Sequence, residues 1–273
     1  MKAFVCVYRH SVPHQAELRK VEKAAENQPL LRKFLAEYSN PGCFYDWGDD
    51  PALFCAGEIL GDVRAATWGV CRRDVRRQLA RGDLVVFFCG KQRTDAPKVW
   101  DYFFVGYATV REAISRQQLW AEDRFSIYRA FYNTLAKPSG GILIRHEPFG
   151  NEHKDWLIRS EAPYIIFESD SHLTDFNTST PIKVATKPAD SPFERWHSDS
   201  NGLVNHLEDV IFTRLKIKRR LRIGSVQRAH RHISLHRDFI KAHRRATEGE
   251  VTSYLHALRD ELAKITGLSR AYH

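Results

Sequence analysis

The sequence lacks any apolar run long enough to cross a membrane. A spanning helix needs about 20 mostly apolar residues in a row, and polar or charged side chains interrupt every hydrophobic stretch of this chain before that length. The first residues also lack the apolar core and the small-residue cleavage site of a secretory signal peptide. We therefore expect a cytoplasmic protein that has no membrane partner.

Cysteine is scarce, and its spacing excludes two common kinds of site. The five cysteines are an odd set without a C-x-x-C pair, which argues against a disulfide framework and against a zinc knuckle. His232 and His236 would lie one turn apart on a helix, but no carboxylate or cysteine has a matching position nearby. We predict neither a metal site nor a cofactor.

Several catalytic motifs are also missing. The chain has no G-x-x-x-x-G-K-[ST], no G-x-G-x-x-G after a strand, no G-x-S-x-G and no H-E-x-x-H. These motifs mark P-loop ATPases, dinucleotide-binding dehydrogenases, serine hydrolases and zinc proteases, respectively. All four classes are therefore poor candidates.

Positive charge is concentrated in one stretch near the C-terminus. The formal charge of the whole chain is +9, yet between Arg214 and Arg245 twelve Lys or Arg accompany one acid, Asp238, and the rest of the chain is slightly acidic. Such local basicity is typical of a surface that binds the phosphates of a nucleic acid. We expect DNA as the partner, although phosphate contacts alone leave RNA open. The predicted phosphate-binding residues are Arg214, Lys216, Lys218, Arg219, Arg220, Arg222, Arg228, Arg231 and Arg244.

Runs of apolar and β-branched residues predict the strands. The clearest are residues 84–89, after a turn at 81–83, and residues 102–110, and these two are expected to pair. Further strands are predicted at 3–9, 142–145 and 164–168.

Helical spacing of apolar residues predicts the remaining elements. Residues 14–37 are predicted to form a helix pair or one kinked helix, interrupted at Pro29. The other predicted helices are 51–59, 72–81, 114–135, 203–215, 226–245 and 250–265, and residues 169–200 are expected to form a long surface segment. The pattern indicates an α+β fold, a mixed β-sheet body with flanking helices and a basic C-terminal helical region. We predict a base-binding or catalytic domain at 1–200 and a nucleic-acid-binding region at 201–273.

An acidic aromatic loop is the first candidate site. Tyr45 and Trp47 could stack on a base that has left the duplex, while Asp46, Asp49 and Asp50 could orient water and stabilise an oxocarbenium-like sugar. One of these aspartates could instead cap the helix that Pro51 begins. A helix start has a single cap position, so that alternative does not account for all three.

Two further segments could recognise a base. Arg72 and Arg73, followed by Arg76, begin a short basic helix beside an aromatic residue and suit phosphate contact or stacking; a solvated helix face is the alternative. Asn151 and His153 could read a base edge, because an amide both donates and accepts; ordinary turn chemistry is the alternative.

These segments together resemble a known family. The runs from Asn40 to Pro51, from Thr67 to Arg77 and from Gly82 to Phe88, together with Gly150-Asn151, are similar to the nucleotide-modification-associated domains linked to phage DNA base modification, which include Brig-type anti-phage DNA glycosylases. The resemblance covers roughly two thirds of the chain. It implies a site built from Asp46, Asp49 or Asp50, from Arg72 or Arg73, and from Asn151, with Asn40 on the matching run.

Two neighbouring resemblances concern the same segments. The strand pair after Gly82-Asp83 is similar to that of PUA-like and EVE-type readers, which accept a flipped modified base. Gly48 to Pro51 faintly resembles the G-x-D-P loop of uracil-DNA glycosylases, although no clear strand precedes it.

We predict a DNA glycosylase that removes a bulky modified base, such as glucosylated hydroxymethylcytosine, from phage DNA in antiviral defence. The alternative is a non-catalytic reader that recruits a separate nuclease.

Overall fold

A computed structural model of the protein describes residues 1–9, 67–69, 72–130, 136–146, 162–168, 172–173, 182–199, 202–217 and 232–270, with isolated positions at 23, 26, 27, 29, 32, 134 and 221. Its contacts divide the chain into two compact units. Unit 1 comprises Met1–His10, Gly82–Thr109 and Thr180–His273, and unit 2 comprises Ser11–Arg81 and Val110–Ser179. The domains predicted at 1–200 and 201–273 stay a prediction.

The elements are numbered here in chain order. The strands are β1 (Ala3–Arg9), β2 (Thr67–Trp68), β3 (Leu84–Gln92), β4 (Trp100–Ile114), β5 (Ala136–Ser139), β6 (Ile142–Arg145), β7 (Tyr164–Phe167), β8 (His172–Leu173), β9 (Ile182–Lys187), β10 (Arg195–Trp196) and β11 (His232–Ser234). The helices are α1 (Arg73–Arg76), α2 (Arg116–Ala121), a 3-10 helix (Asp123–Ala130), α3 (Leu203–Glu208), a π-helix (Asp209–Thr213), α4 (Leu235–Ala242) and α5 (Glu248–Arg270).

Unit 1 is built on a mixed sheet. Its strands follow the order β10, β9, β4, β3, β1, β11. Strand β1 is parallel to β3, and the other neighbours are antiparallel. The expected pairing of residues 84–89 with 102–110 is confirmed, with Leu84 opposite Thr109 and a bulge at Phe87 and Phe88. The arrangement confirms the predicted α+β class with a mixed sheet.

The central strands of unit 1 are buried on both faces. Val5 and Val86 lie in the core that α3, α5 and the π-helix cover, and Phe4 and Phe87, which point to the opposite face, are equally inaccessible to solvent. A strand buried on both faces is apolar throughout instead of alternating. This burial explains why the sequence of β1 and β3 reads as continuous hydrophobic runs.

Unit 2 contains a smaller set of paired strands around an aromatic core. Strand β7 pairs with β2 and with the last residues of β4, so that Ile114 lies opposite Tyr164. Trp68, Tyr164 and Phe167 are fully buried, and Tyr128 packs near Tyr164. A hairpin joins β5 and β6 through Gly140 and Gly141, both of which have the positive φ angles that favour glycine in tight turns.

The helix predicted at 114–135 is confirmed in part, as α2 and the 3-10 helix, but its first residue belongs to a strand and its end is too late. Strand β4 continues to Ile114, because its end pairs with β7. Ser115 then begins α2 with a capping box, in which its hydroxyl accepts from the Gln118 amide at 3.0 Å and the Gln118 side chain accepts from the Ser115 amide at 2.9 Å. After α2 the chain forms a 3-10 helix, and β5 begins at Ala136.

The other predicted elements are confirmed in part. The basic helix expected at 72–81 is shorter, Arg73–Arg76, and the helix expected at 203–215 ends as a π-helix. The surface segment expected at 169–200 is wrong, since β9 and β10 lie in the unit 1 sheet. The helix predicted at 250–265 is confirmed and extends over Glu248–Arg270. Within the segment predicted as helical at 14–37, the described positions 23, 26, 29 and 32 are helical and 27 is in a turn; its other residues and the helix predicted at 51–59 lie outside the described residues.

The helix predicted at 226–245 is wrong over its described first part. Residues His232–Ser234 form β11, which pairs antiparallel with β1, and α4 begins only at Leu235. His232 therefore lies in a strand and His236 in a helix, so the two are not one helical turn apart. Among the described residues no group of three or more His, Cys, Asp or Glu is arranged to hold a metal.

Candidate nucleic-acid interface

Most of the predicted site residues lie outside the described ranges. This holds for Asn40, Tyr45, Asp46, Trp47, Asp49, Asp50, Asn151 and His153, and for the cations Lys218, Arg219, Arg220, Arg222, Arg228 and Arg231. The described predicted residues fall in both units. Arg72 and Arg73 belong to unit 2, whereas Arg214, Lys216 and Arg244 belong to unit 1.

Helix α4 presents an apolar face to the unit 1 core and a basic face to solvent. Leu235 is fully buried and Phe239 packs against the core, while Arg237 and Lys241 are exposed. Residues two and six positions after Leu235 lie on the far side of a helix from it, because a turn takes 3.6 residues. The amphipathic pattern of the sequence therefore fixes which cations face outward.

A tight turn follows α4 and carries two more cations. The amide of His243 donates to the Phe239 carbonyl at 2.9 Å, and the amide of Ala246 donates to the His243 carbonyl at 2.8 Å. Arg244 and Arg245, between these two residues, are both exposed. The backbone hydrogen bonds of the turn thus hold the two arginines side by side on the surface.

A capping box fixes the far end of this turn at the start of α5. The Thr247 amide and hydroxyl donate to Glu250 Oε2 at 2.7 and 2.9 Å, and the Glu250 amide donates back to Thr247 Oγ1 at 3.3 Å. The hydrogen bond from the Thr247 amide is the main reason that the pKa of the Glu250 carboxyl lies below its usual value. Glu250 is therefore ionised at neutral pH in the folded protein.

The turn borders an open hollow of about 520 Å³. Its lining combines two aromatic rings, two guanidinium groups and one carboxylate, from Phe239, His243, Arg244, Arg245, Ala246 and Glu250. The hollow lies at the exposed surface of unit 1, where exposed cations can reach a phosphate. It brings Arg244 together with residues outside the predicted set, namely Arg245 and the rings.

Two other predicted phosphate contacts are described. Arg214 forms an ion pair with Asp209, Nε to Oδ2 at 2.7 Å, and both side chains are about half exposed. Exposed ion pairs contribute about 0 to 1 kcal/mol, so a phosphate can compete with Asp209 for this guanidinium. Lys216 is exposed and has a positive φ of 51°.

The predicted set omitted three exposed cations, Arg237, Lys241 and Arg245. All three belong to the basic stretch that the composition marked, so the signal for them was present. Lys241 has 78% of its side chain exposed, and its ion pair with Asp238 is long at 3.7 Å. The helical phase of α4, which begins at Leu235, turns Arg237 and Lys241 away from the core, and Arg245 lies in the turn after the helix.

In unit 2, Arg72 begins the basic helix and Arg73 is exposed. Arg72 adopts a left-handed conformation with φ of 54°, and its carbonyl accepts from the amides of Val75 and Arg76 at 2.9 Å each. Such a conformation is rarely adopted by residues other than glycine, asparagine or aspartate, and it marks a position held by its surroundings. Both residues stay candidates for recognition.

Arg76 has a structural role instead. Only 2% of the residue is exposed, and its guanidinium donates to the carbonyls of Ala162 and Pro163, just before β7. A buried arginine that saturates backbone carbonyls cannot reach a phosphate. The phosphate or stacking role that the sequence allowed for Arg76 is therefore wrong.

A second buried arginine in unit 2 resembles Arg76 in its contacts. Arg116 donates to the carbonyl of Gly69 and lies over the Tyr164 ring, 5.6 Å from its centroid. The Tyr164 hydroxyl donates to Thr67 Oγ1 at 2.9 Å, and burial raises the pKa of this phenol well above its usual range. The tyrosine therefore stays neutral and joins β2 to β7.

None of the described helices combines the length and the apolar character needed to cross a bilayer. What the surface of unit 1 can do chemically is to attract a polyanion and to offer aromatic rings beside the cations. No protein-family model matches this chain, and comparisons with curated proteins and with solved structures find no significant match.

Proposed function

We propose that this cytoplasmic protein binds DNA through the basic surface formed by α4 and the turn after it, and that it acts on a modified base in that DNA. The observation that carries the proposal is the set of exposed cations on α4 and the turn after it, Arg237, Lys241, Arg244 and Arg245, of which Arg244 and Arg245 line the hollow.

The electrostatics of this surface suit a phosphate backbone. Three acids accompany the four cations: Asp238 lies 3.7 Å from Lys241, and Glu248 and Glu250 are in the first turn of α5, so the cations outnumber these acids by one. When exposed arginine and lysine side chains bind DNA phosphates, counterions condensed on the DNA are released. The resulting gain in binding free energy does not depend on the base sequence. The surface therefore supports binding to DNA in general, and the choice of base has to come from other residues.

The base-specific step rests on the acidic aromatic loop identified in the sequence. Tyr45 and Trp47 would stack on the flipped base, and Arg72 and Asn151 would recognise it. Asp50 or Asp46 would take a proton from water as the water oxygen bonds to C1′ of the sugar. The bond between C1′ and the base nitrogen breaks, and the base leaves with the bonding electron pair.

A single assay tests the catalytic proposal. The protein is incubated with phage DNA that carries glucosylated hydroxymethylcytosine and with unmodified DNA of the same sequence, and mass spectrometry measures free base and abasic sites. We expect release from the modified DNA only. Asp46→Asn and Asp50→Asn are compared with Asp190→Asn, an exposed acid of unit 1 that serves as the matched control.

The outcomes separate enzyme from reader. Loss of base release in Asp46→Asn or Asp50→Asn, but not in Asp190→Asn, supports excision by the loop. Preferential binding of modified DNA without any release, unchanged in Asp50→Asn, supports the non-catalytic reader. Equal, weak binding to both DNAs without release contradicts both proposals.

A further inference from the structure

Three aromatic rings form a column beside the exposed cations of unit 1. The Phe239 and Tyr254 rings are stacked, with centroids 4.7 Å apart and planes at 22°, and the His243 ring lies 4.5 Å from Phe239 at 34°. Phe239 and Tyr254 pack against the hydrophobic core, whereas His243 is exposed. The column therefore extends from the core and ends at an exposed ring.

The inner end of the column is fixed in place. The Tyr254 hydroxyl donates to the Val210 carbonyl at 3.2 Å, which ties α5 to the π-helix, and burial raises the pKa of this phenol. Tyr254 therefore remains a neutral hydrogen-bond donor. The backbone hydrogen bond from the His243 amide to the Phe239 carbonyl fixes the backbone at the other end. The contact of the His243 ring with the packed Phe239 ring reduces its freedom, and so lowers the entropy lost when a ligand stacks on it.

Two arginines and one carboxylate lie beside the exposed ring of His243. Arg244 and Arg245 follow His243 directly and line the same hollow, which is large enough at about 520 Å³ for one nucleotide. Glu250 lines it too, and its hydrogen bonds with Thr247 use Oε2, which leaves Oε1 to accept from a ligand. A flat ring, two phosphate-binding groups and one fixed acceptor match the base, phosphates and exocyclic amine of a nucleotide.

We infer that this hollow binds an unpaired base of single-stranded DNA, stacked on His243, with the flanking phosphates on Arg244 and Arg245. The inference rests on the proposed DNA binding and adds to it a preference for a strand whose bases are exposed. Duplex DNA hides its base faces, so a duplex would engage the arginines alone. Glu250 favours bases that carry an amine, such as cytosine, over thymine.

The test compares two labelled strands of about 12 nucleotides, a length within the usual site size of such surfaces. One is an oligo-deoxycytidine, and the other has the same phosphates but abasic spacers in place of the bases. Fluorescence anisotropy gives the affinity of the wild type, of His243→Ala and of His256→Ala, an exposed histidine of α5 that serves as the matched control. His243→Phe keeps a ring at the position and serves as the rescue variant.

We expect His243→Ala to weaken binding of the oligo-deoxycytidine about tenfold, since stacking on one base contributes roughly 1–3 kcal/mol. Binding of the abasic strand should not change, His256→Ala should resemble the wild type, and His243→Phe should restore the affinity. Glu250→Gln, which can still close the capping box, should reduce the preference for oligo-deoxycytidine over oligo-deoxythymidine.

Other results would overturn the inference. Equal loss on both strands would assign His243 a general role in holding the arginines, and no loss on either strand would exclude stacking there. In both cases duplex binding and base release by the wild type would leave the proposed function intact. Absence of binding to duplex and to either strand would contradict the proposed function as well.

Discussion

The two units use arginine in opposite ways. In unit 2, Arg76 and Arg116 are more than nine-tenths buried and donate to backbone carbonyls of other segments. In unit 1, Arg244 and Arg245 are exposed in a turn and border an open hollow. A charge count treats these four residues alike. Burial and the available hydrogen-bond acceptors distinguish the first pair from the second. Whether a basic residue can bind a ligand therefore depends on its position in the fold.

The difference follows from the neighbouring sequence. Arg76 comes one residue after the buried Val75 in a short helix, and Arg116 opens α2 directly after the end of β4, so both point towards the packed interior of unit 2. A buried guanidinium is tolerated only where acceptors satisfy its donors. Arg244 and Arg245 lie between two helices of unit 1, where a turn keeps side chains at the surface.

The largest effect should come from removing a buried arginine. We expect Arg76→Ala to lower the free energy of unfolding by about 3 kcal/mol, because two buried carbonyls lose a charged donor. Urea-induced unfolding followed by circular dichroism measures the change. The exposed neighbour Arg77→Ala should change it by less than about 0.5 kcal/mol. Equal effects of the two substitutions would break the distinction between buried and exposed arginines.

A smaller effect should come from the cap that holds the basic turn of unit 1. Thr247→Ala removes the hydroxyl that links the turn to Glu250, and we expect a loss of about 1 kcal/mol in the free energy of unfolding. Thr247→Ser retains the hydroxyl and should stay close to the wild type. If Thr247→Ala proved as stable as Thr247→Ser, the capping box would not be what holds Arg244 and Arg245 in place.

The smallest effect concerns pH and His236, a partly buried residue of α4 that contacts Phe4 of β1. Burial lowers the pKa of His236 below its ordinary value of 6.5, although its hydrogen bond to the Ala3 carbonyl acts in the opposite direction. Between the pKa values of His236 in the folded and the unfolded chain, the unfolded chain binds more protons. The stability that neutral His236 contributes is therefore complete above pH 6.5, and it is lost as the pH falls from 6.5 towards the lower pKa of the folded chain.

Unfolding at two pH values checks this contribution. Between about pH 7.5 and about pH 5.5 the wild type should lose more stability than His236→Gln, which has no proton to gain. His256→Gln, at an exposed position of α5, is the control and should follow the wild type. A His236→Gln variant with the same pH dependence as the wild type would show that His236 titrates alike in the folded and unfolded chain.

The sequence predicted the central strands well because their signals are local. The apolar runs of β3 and β4, with the Gly82 turn before them, specify both elements and their pairing, and Gly82 has the positive φ of 83° that such a turn favours. The helix expected at 114–135 begins later than predicted because Ile114 pairs with Tyr164, fifty residues later. The prediction of a helix over residues 232–234 is wrong for a similar reason. These residues form β11, whose partner β1 lies at the other end of the chain.

The candidate surface was predictable only in outline. Composition located the basic stretch, but the orientation of Arg237 and Lys241 depends on where α4 begins, and the helix begins directly after the paired strand β11. The column of Phe239, Tyr254 and His243 joins residues of two helices and a turn, and no local pattern links them. The acidic loop around Asp46 and Asp50 stays a prediction from the sequence.

The most direct test of the central claim is the salt dependence of DNA affinity. Lys241→Gln, Arg244→Gln and Arg245→Gln are combined in one protein, and its control combines Lys91→Gln, Lys98→Gln and Arg195→Gln, exposed cations elsewhere in unit 1. Each lost phosphate contact lowers the slope of log affinity against log salt by about 0.9. We predict a slope smaller by about 2 to 3 for the first variant and an unchanged slope for the control. Equal slopes for the first variant and the wild type would contradict DNA binding at this surface.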